Sequence, residues 1–395
     1  MTDFMSRLEP AAPDALLSLM LAAREDDRPT KADLSVGIYK DKTGATPVLQ
    51  SVAAAEDLIL RTQTTKAYES PQGNPIFCAE VETLTMGRRD DRRAVFMTPG
   101  GSGALFIAFR LAASMAQGAT VWMSDPTWPN HRGIVGSAGF AIESFPYQKS
   151  EDGSVDVEAM LDALERAQAG DIVLLQGACH NPTGTDLSAD GWKAVADFVL
   201  RNKLLPVVDV AYQGFAIGLD EDMAPIRALF DAVPEAMLTF SCSKNFGLYR
   251  DRVGALIVQA ADASTCDVAK SQTSATVRTA YSMPPAHGAA IVATILTDDS
   301  LRKQWTDELT SMRQRLRTLR EGFNAALIEA TGRNSLMLHR EYGMFSVLPI
   351  SAEATQLIQK ERGVYLPTSG RINIAGLNED RLQETAEALA PYLSD

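Results

Sequence analysis

The chain has 395 residues, 46% hydrophobic and 22% charged, an ordinary globular balance for a length that exceeds one core and suggests two domains. Its formal charge of −13, with no basic cluster, argues against nucleic acid or an anionic membrane surface as partner. Cys78, Cys179, Cys242 and Cys266 are scattered without paired spacing, so neither a disulfide framework nor a zinc site is indicated. The N-terminal MTDFMSRLEPAAPDALL lacks the apolar core of a signal peptide, and no apolar run of about 18 residues occurs; a soluble cytoplasmic protein is expected.

In chain order, Pro13-Asp14 precedes Ala15 to Leu21, a capped and partly apolar helix, and the polar run Arg24 to Thr30 ends it. Leu34 to Tyr39 reads as a short strand holding Gly37, a residue that lets backbone approach a ligand or forms a bulge. Lys66 to Pro75 is a turn-rich loop carrying Tyr68. From residue 94 strands and helices alternate. Ala94 to Thr98 leads into Pro99-Gly100-Gly101-Ser102-Gly103, and a helix is expected from Ala104 to about Ala116. Glycines at a helix start expose N–H groups to an anion, although this is not the dinucleotide fingerprint.

Further strands are expected at 120–123, 172–175 and 205–210, with helices at 155–168 and 189–202 between them. Near-continuous apolar strands alternating with helices imply an α/β fold, a mostly parallel sheet covered on both faces. Such sheets bind ligands at the carboxyl ends of their strands. Those ends carry Asp125 to His131 (with Trp128), His180-Asn181-Pro182-Thr183-Gly184, and Asp209-Val210-Ala211-Tyr212.

Between the apolar runs 236–240 and 254–258 lies Ser241-Cys242-Ser243-Lys244-Asn245-Phe246-Gly247-Leu248-Tyr249-Arg250-Asp251-Arg252. Lys244 therefore stands where a strand hands over to a loop. Its amine can form a Schiff base, and Ser241, Ser243 and Arg252 can take an anion close by. Beside Asp209, Trp128, Asn181 and Tyr212, it makes a set suited to pyridoxal phosphate. Residues 298–331 then read as one long amphipathic helix, with apolar side chains from Leu301 to Leu327 at spacings of three and four. Short strands and a final helix from about Glu379 make an α+β end.

The segments VGIYKDKTGATPVL (36–49), PGGSGAL (99–105), SDPTWPNH (124–131), CHNPTG (179–184), DVAYQGF (209–215), SCSKNFGLYRDRVG (241–254), YSMPPAHG (281–288), YGMFS (342–346) and RINIAGL (371–377) resemble the class I, fold type I aminotransferases of the aspartate/aromatic amino acid group. The resemblance covers nearly the whole chain. It implies a large domain (46–310) with a mostly parallel seven-stranded sheet, and a smaller α+β domain built from both termini (1–45 and 311–395). It also implies pyridoxal 5'-phosphate as cofactor and a homodimer with shared active sites.

On that resemblance, Lys244 is the Schiff-base lysine and proton shuttle, Asp209 pairs with the pyridine nitrogen, and Tyr212 and Asn181 bond the ring oxygen. Trp128 stacks on the ring. Gly101, Ser102, Ser241 and Arg252 hold the phosphate, Arg371 clamps the substrate α-carboxylate, and Gly37 lines the substrate side. Tyr68 and Arg278 match positions supplied by the neighbouring subunit, Arg278 for a distal carboxylate. Two departures stand out: Gln176 where the family usually has histidine, and Glu69-Ser70-Pro71-Gln72-Gly73 where small residues are usual.

The expected reaction moves an amino group from aromatic amino acids, aspartate or both to 2-oxoglutarate, with Ser102 and Met283 leaning towards aromatic acceptance. A strict aspartate aminotransferase and a β-eliminating relative remain open. A non-catalytic pyridoxal-phosphate-binding regulator would need a basic DNA-binding domain, and no such segment is present.

Overall fold

The computed structural model describes residues 5–10, 13–149, 153–333 and 338–394. A two-residue strand, β1 (Ala32–Asp33), precedes the seven strands of the main sheet. These are β2 (Arg93–Pro99), β3 (Thr120–Asp125), β4 (Ala141–Pro146), β5 (Ile172–Gln176), β6 (Leu205–Val210), β7 (Ala236–Ser241) and β8 (Val253–Gln259). Their spatial order is β2-β8-β7-β6-β5-β3-β4. All pairings are parallel except those of β8, which runs against both its neighbours.

Both faces of the sheet are covered, as the apolar strands require. Successive residues feed opposite cores: Val207 and Met237 pack with the helices Gly100–Met115 and Ala263–Ala280, while Val208, Leu238 and Phe240 face the other cluster. β7 and β8 are buried along their whole length.

The long helix runs Asp299–Thr331, capped by Asp298 at its start and closed by Gly332 at φ 68°. Its buried stripe includes Trp305, Leu309, Met312, Leu316, Leu319, Phe323 and Leu327, the spacing that the sequence predicts. Beyond it lie β9 (Phe345–Val347), β10 (Val364–Tyr365) and β11 (Arg371–Asn373). β9 pairs antiparallel with β11, and β10 pairs parallel with the N-terminal β1.

The structure corrects several expectations. Leu34–Tyr39 is not a strand. Side chains take several of its carbonyls instead: Asn373 Nδ2 donates to Val36 O and Ile38 O, and Arg371 to Ser35 O. The helix expected from Ala104 starts at Gly100, so the glycines form its first turn. β4 is an edge strand whose Glu143 and Ser144 interrupt the apolar run, which hides it from a search for apolar strands. The helix expected over 155–168 is shorter, Val157–Leu164, with Asp156 as cap. The last helix is Leu382–Leu389, after a 3-10 turn at Glu379–Arg381.

Candidate active site

A cavity of about 310 Å³ opens at the carboxyl ends of β5, β6 and β7. Because β8 runs the other way, its beginning lies at this same edge. That is why Arg252, one residue before β8, joins residues that follow the other strands. A larger cleft of about 740 Å³, beside Lys203–Leu205 and Glu235–Met237, lies where β6 and β7 begin, away from the residues above.

At one end, Gly101, Ser102, Ser241, Ser243 and Arg252 line the wall. The Arg252 guanidinium is fixed by Nη1, which donates to Tyr249 O at 3.0 Å and to Ser243 Oγ at 3.3 Å. The backbone packs tightly here. A Cβ on Gly100, at φ 71°, would lie 2.5 Å from Arg252 Nη2, and one on Gly101 would lie 3.1 Å from Ser241 Cβ. Open N–H groups at a helix start, two serine hydroxyls and a guanidinium with donors left over make an anion cradle.

Lys244 follows within three residues of the β7 end, and its loop is anchored from outside. Trp305 Nε1 donates to Asn245 O at 2.7 Å, and the Phe246 and Trp305 rings stack 4.3 Å apart. The Lys244 ammonium sits 4.8 Å above the Tyr212 ring. Desolvation, aided by the nearby Arg252 charge and opposed by Asp209, brings the amine down to about 8. Burial pushes the Tyr212 phenol well up from its ordinary value.

Deeper in the cavity, Gln176, Asp209 and Thr239 lie side by side on β5, β6 and β7, by register. Thr239 Oγ1 donates to Asp209 Oδ1 at 2.6 Å, and His131 Nε2 lies 3.3 Å from Asp209 Oδ2. Asp209 is 7% exposed and His131 fully buried. The Trp128 ring meets His131 edge-on, with centroids 5.2 Å apart, and borders the cavity.

The third side is made by Arg371, Asn181, Gly37, Phe345 and Leu16. Arg371 is buried; Nη1 donates to Asn181 Oδ1 at 3.2 Å and Nη2 to Ser35 O at 2.8 Å, while Nε has no partner among the described residues. Its guanidinium also lies 4.2 Å over the Phe345 ring. Burial lowers its pKa, yet arginine stays a cation, so it can still take a carboxylate. Gly37 is needed for close approach, since a Cβ there would come 2.7 Å from Phe345.

Two expected site residues are outside this cavity. Tyr68 is 93% exposed, and Arg278, near the end of the helix Ala263–Ala280, is exposed and donates to Ser282 Oγ. Met283 is not a lining residue either; its sulfur accepts the Glu69 N–H. His180 proves to be a core residue. It stacks on Tyr147 at 3.9 Å and uses its ring nitrogens on Ser124 and Thr183. Desolvation, with His131 nearby, lowers it to about 3.

Sequence reasoning passed over Thr239, Thr127, Phe345 and Leu16. Thr239 had a usable signal, because it precedes Ser241 by two on a strand and so shares its face. Leu16 and Phe345 reach the cavity only through tertiary packing.

The cavity fits pyridoxal 5'-phosphate on its own geometry. The anion cradle, the lysine, a buried carboxylate facing inward and an aromatic plate surround one space, and the Gly100–Gly101 cradle would be filled by any side chain.

The aminotransferase class I and II pattern matches residues 29–389. The chain is 44% identical to the aromatic-amino-acid aminotransferase of Pseudomonas aeruginosa, covering 97% of each chain. It is 43% identical to the aspartate aminotransferase of Escherichia coli K12, over 97% of this chain and 98% of that one. An aromatic-amino-acid aminotransferase from Burkholderia pseudomallei, solved covalently bound to pyridoxal phosphate, superposes with a TM-score of 0.96 at 35% identity over 99% of this chain and 100% of that one. The chain belongs to the class I and II aminotransferases and is a pyridoxal-phosphate enzyme.

Proposed function

We propose that the protein transfers the amino group of aromatic amino acids and of aspartate to 2-oxoglutarate, working as a cytoplasmic homodimer. The observation that carries this reading is the meeting of Lys244, Asp209, Tyr212 and Arg371 around one cavity of about 310 Å³. Pyridoxal phosphate, when bound, supplies a carbonyl that condenses with amines and a ring that accepts the electrons released at the substrate Cα.

The chain's residues do the rest. Gly101, Ser102, Ser241 and Arg252 would hold the phosphate. Asp209 would pair with the ring nitrogen, Asn181 and Tyr212 would bond the ring oxygen, and Trp128 would cover the ring face. Arg371 binds the substrate α-carboxylate and so orients the Cα–H bond. The Lys244 amine would take up that proton and give it back, as general base and then general acid.

Tyr68 and Arg278 support the dimeric reading because they lie outside their own chain's cavity. A second copy would receive them at its mouth, Arg278 for a distal carboxylate. The expected domain limits, 46–310 for the large domain and both termini for the small one, belong to this reading. Relatives named for aromatic amino acids and for aspartate resemble the chain almost equally, which supports dual acceptance.

Half-reaction spectra with aspartate, glutamate, phenylalanine and tyrosine test the reading. The wild type should respond to all four, and Lys244→Ala should lose turnover by orders of magnitude. A Lys244→Ala protein turning over at the wild-type rate would sink the mechanism. A wild type silent towards phenylalanine and tyrosine would leave a strict aspartate aminotransferase.

A further inference from the structure

The Gln176 amide is bound in a way that fixes which end is which. Oε1 accepts the Asn181 N–H at 3.0 Å, and Nε2 donates to Asn181 O at 2.9 Å. A backbone N–H can only donate and a carbonyl can only accept, so the amide cannot be turned over. The same Nε2 lies 3.3 Å from Thr127 Oγ1. It can offer Thr127 only a proton.

Thr127 Oγ1 has one other partner among the described residues, His131 Nδ1 at 2.9 Å. The hydroxyl proton has His131 Nδ1 as its one acceptor among the described residues, so the arrangement that leaves no proton unused sends it there. Nδ1 then accepts, and the ring proton resides on Nε2, 3.3 Å from Asp209 Oδ2. Thr239 donates to the other oxygen. The hydrogen bonds thus run in one direction, from the Gln176 amide through Thr127 and His131 to Asp209.

We infer that Gln176 is a positioning residue that sets the direction of the Thr127–His131–Asp209 chain and holds His131 as a neutral donor. The pair His131–Asp209 then keeps a full negative charge facing the cavity. A doubly protonated His131 would cancel that charge. Histidine at 176 could lose or gain a proton and present either a donor or an acceptor to Thr127; an amide held by the backbone cannot. This rests on the reading of Asp209 as the partner of a protonated ring nitrogen, but the arrangement of protons can be tested without reference to turnover.

The test is nitrogen-15 NMR of histidine-labelled holoenzyme at neutral pH. The protein has four histidines, and His131 is assigned by the signals lost in His131→Gln. In the wild type, His131 should show a protonated Nε2 and an unprotonated Nδ1. Gln176→Glu keeps the side chain's length but offers Thr127 no proton, so Thr127 can turn and Nδ1 should gain a proton. Appearance of a second His131 ring N–H signal in that variant supports the assignment. A protonated Nδ1 in the wild type would overturn it, and so would a folded Gln176→Glu protein with an unchanged His131. Should the variant not fold, the wild-type spectrum alone decides. An inactive protein would still give an answer, so failure of the transaminase reading is separable from failure of this one.

Discussion

Thr239 and Asp209 are register partners on adjacent parallel strands, and the Thr239 hydroxyl donates to Asp209 Oδ1 at 2.6 Å. The contact is buried, so the carboxylate oxygen has no water to replace it. Hydrogen bonds to charged groups contribute roughly 1.5–3 kcal/mol. Thr239→Val, which keeps the shape and removes the donor, should lower kcat/KM by about tenfold or more. Thr239→Ser should stay close to wild type. Steady-state kinetics on the two variants checks this, and equal behaviour would show that the contact has no bearing on the reaction.

Lys244 gives a second expectation, for the protein stripped of cofactor. Its amine is brought down to about 8 from 10.5. Acylation of Lys244 should therefore level off near pH 8, while surface lysines continue to gain reactivity. The folded state binds the proton less tightly than the unfolded one, so stability rises with pH between about 8 and 10.5. The cost of the buried ammonium is fully present below about pH 8, at most about 3 kcal/mol. Lys244→Met should accordingly raise the Tm of the cofactor-free protein at pH 7 and lose that advantage in strong base.

Arg278 and Arg371 should separate by substrate. Arg371 lies in the cavity and should be needed by every amino acid, whatever its side chain. Arg278→Leu should cost dicarboxylates far more in kcat/KM than phenylalanine or tyrosine, by roughly 2 kcal/mol or more for a lost charge-assisted pair. Equal losses for both substrate classes would make Arg278 a structural residue.

His180 should report on acid stability. Burial and the neighbouring His131 hold it at about 3, against 6.5 when free. As pH falls below 6.5 the unfolded chain takes up a proton that the folded one refuses. Stability is then lost at about 1.4 kcal/mol per pH unit, down to about pH 3. His180→Gln should be less stable at neutral pH, having lost the Tyr147 stack, yet show a shallower fall between pH 6.5 and 4 in urea titrations.

Much of this was legible in the sequence because strand ends are where an α/β sheet displays its chemistry. Asp209 lies near the end of its own apolar strand, and Lys244, Trp128 and Asn181 lie three, three and five residues past the ends of theirs, so finding the strand led to the residue. Arg371 was legible as a site residue only through resemblance, since it opens the short strand Arg371–Asn373 and nothing in that pattern marks a carboxylate contact, while Gly37 was legible as a point of close backbone approach. The edge strand Ala141–Pro146 was lost for a related reason: half its residues face solvent. The face that Thr239 shares with Ser241 was readable, but its contact with Asp209 was not, because pairing register is not written in either strand alone.

Arg371 joins parts of the chain that are made at very different times. Its guanidinium bonds Ser35, 336 positions earlier, and Asn181, 190 positions earlier. Synthesis proceeds from the N-terminus, so Ser35 and Asn181 emerge long before the arginine that ties them together. The seven sheet strands are complete by Gln259, while Arg371, the proposed carboxylate clamp, waits for the last stretch of polypeptide. A ribosome stalled between those points would display the lysine and its anion cradle without the group that grips an amino acid, and a nascent chain could acquire its cofactor before it could use it.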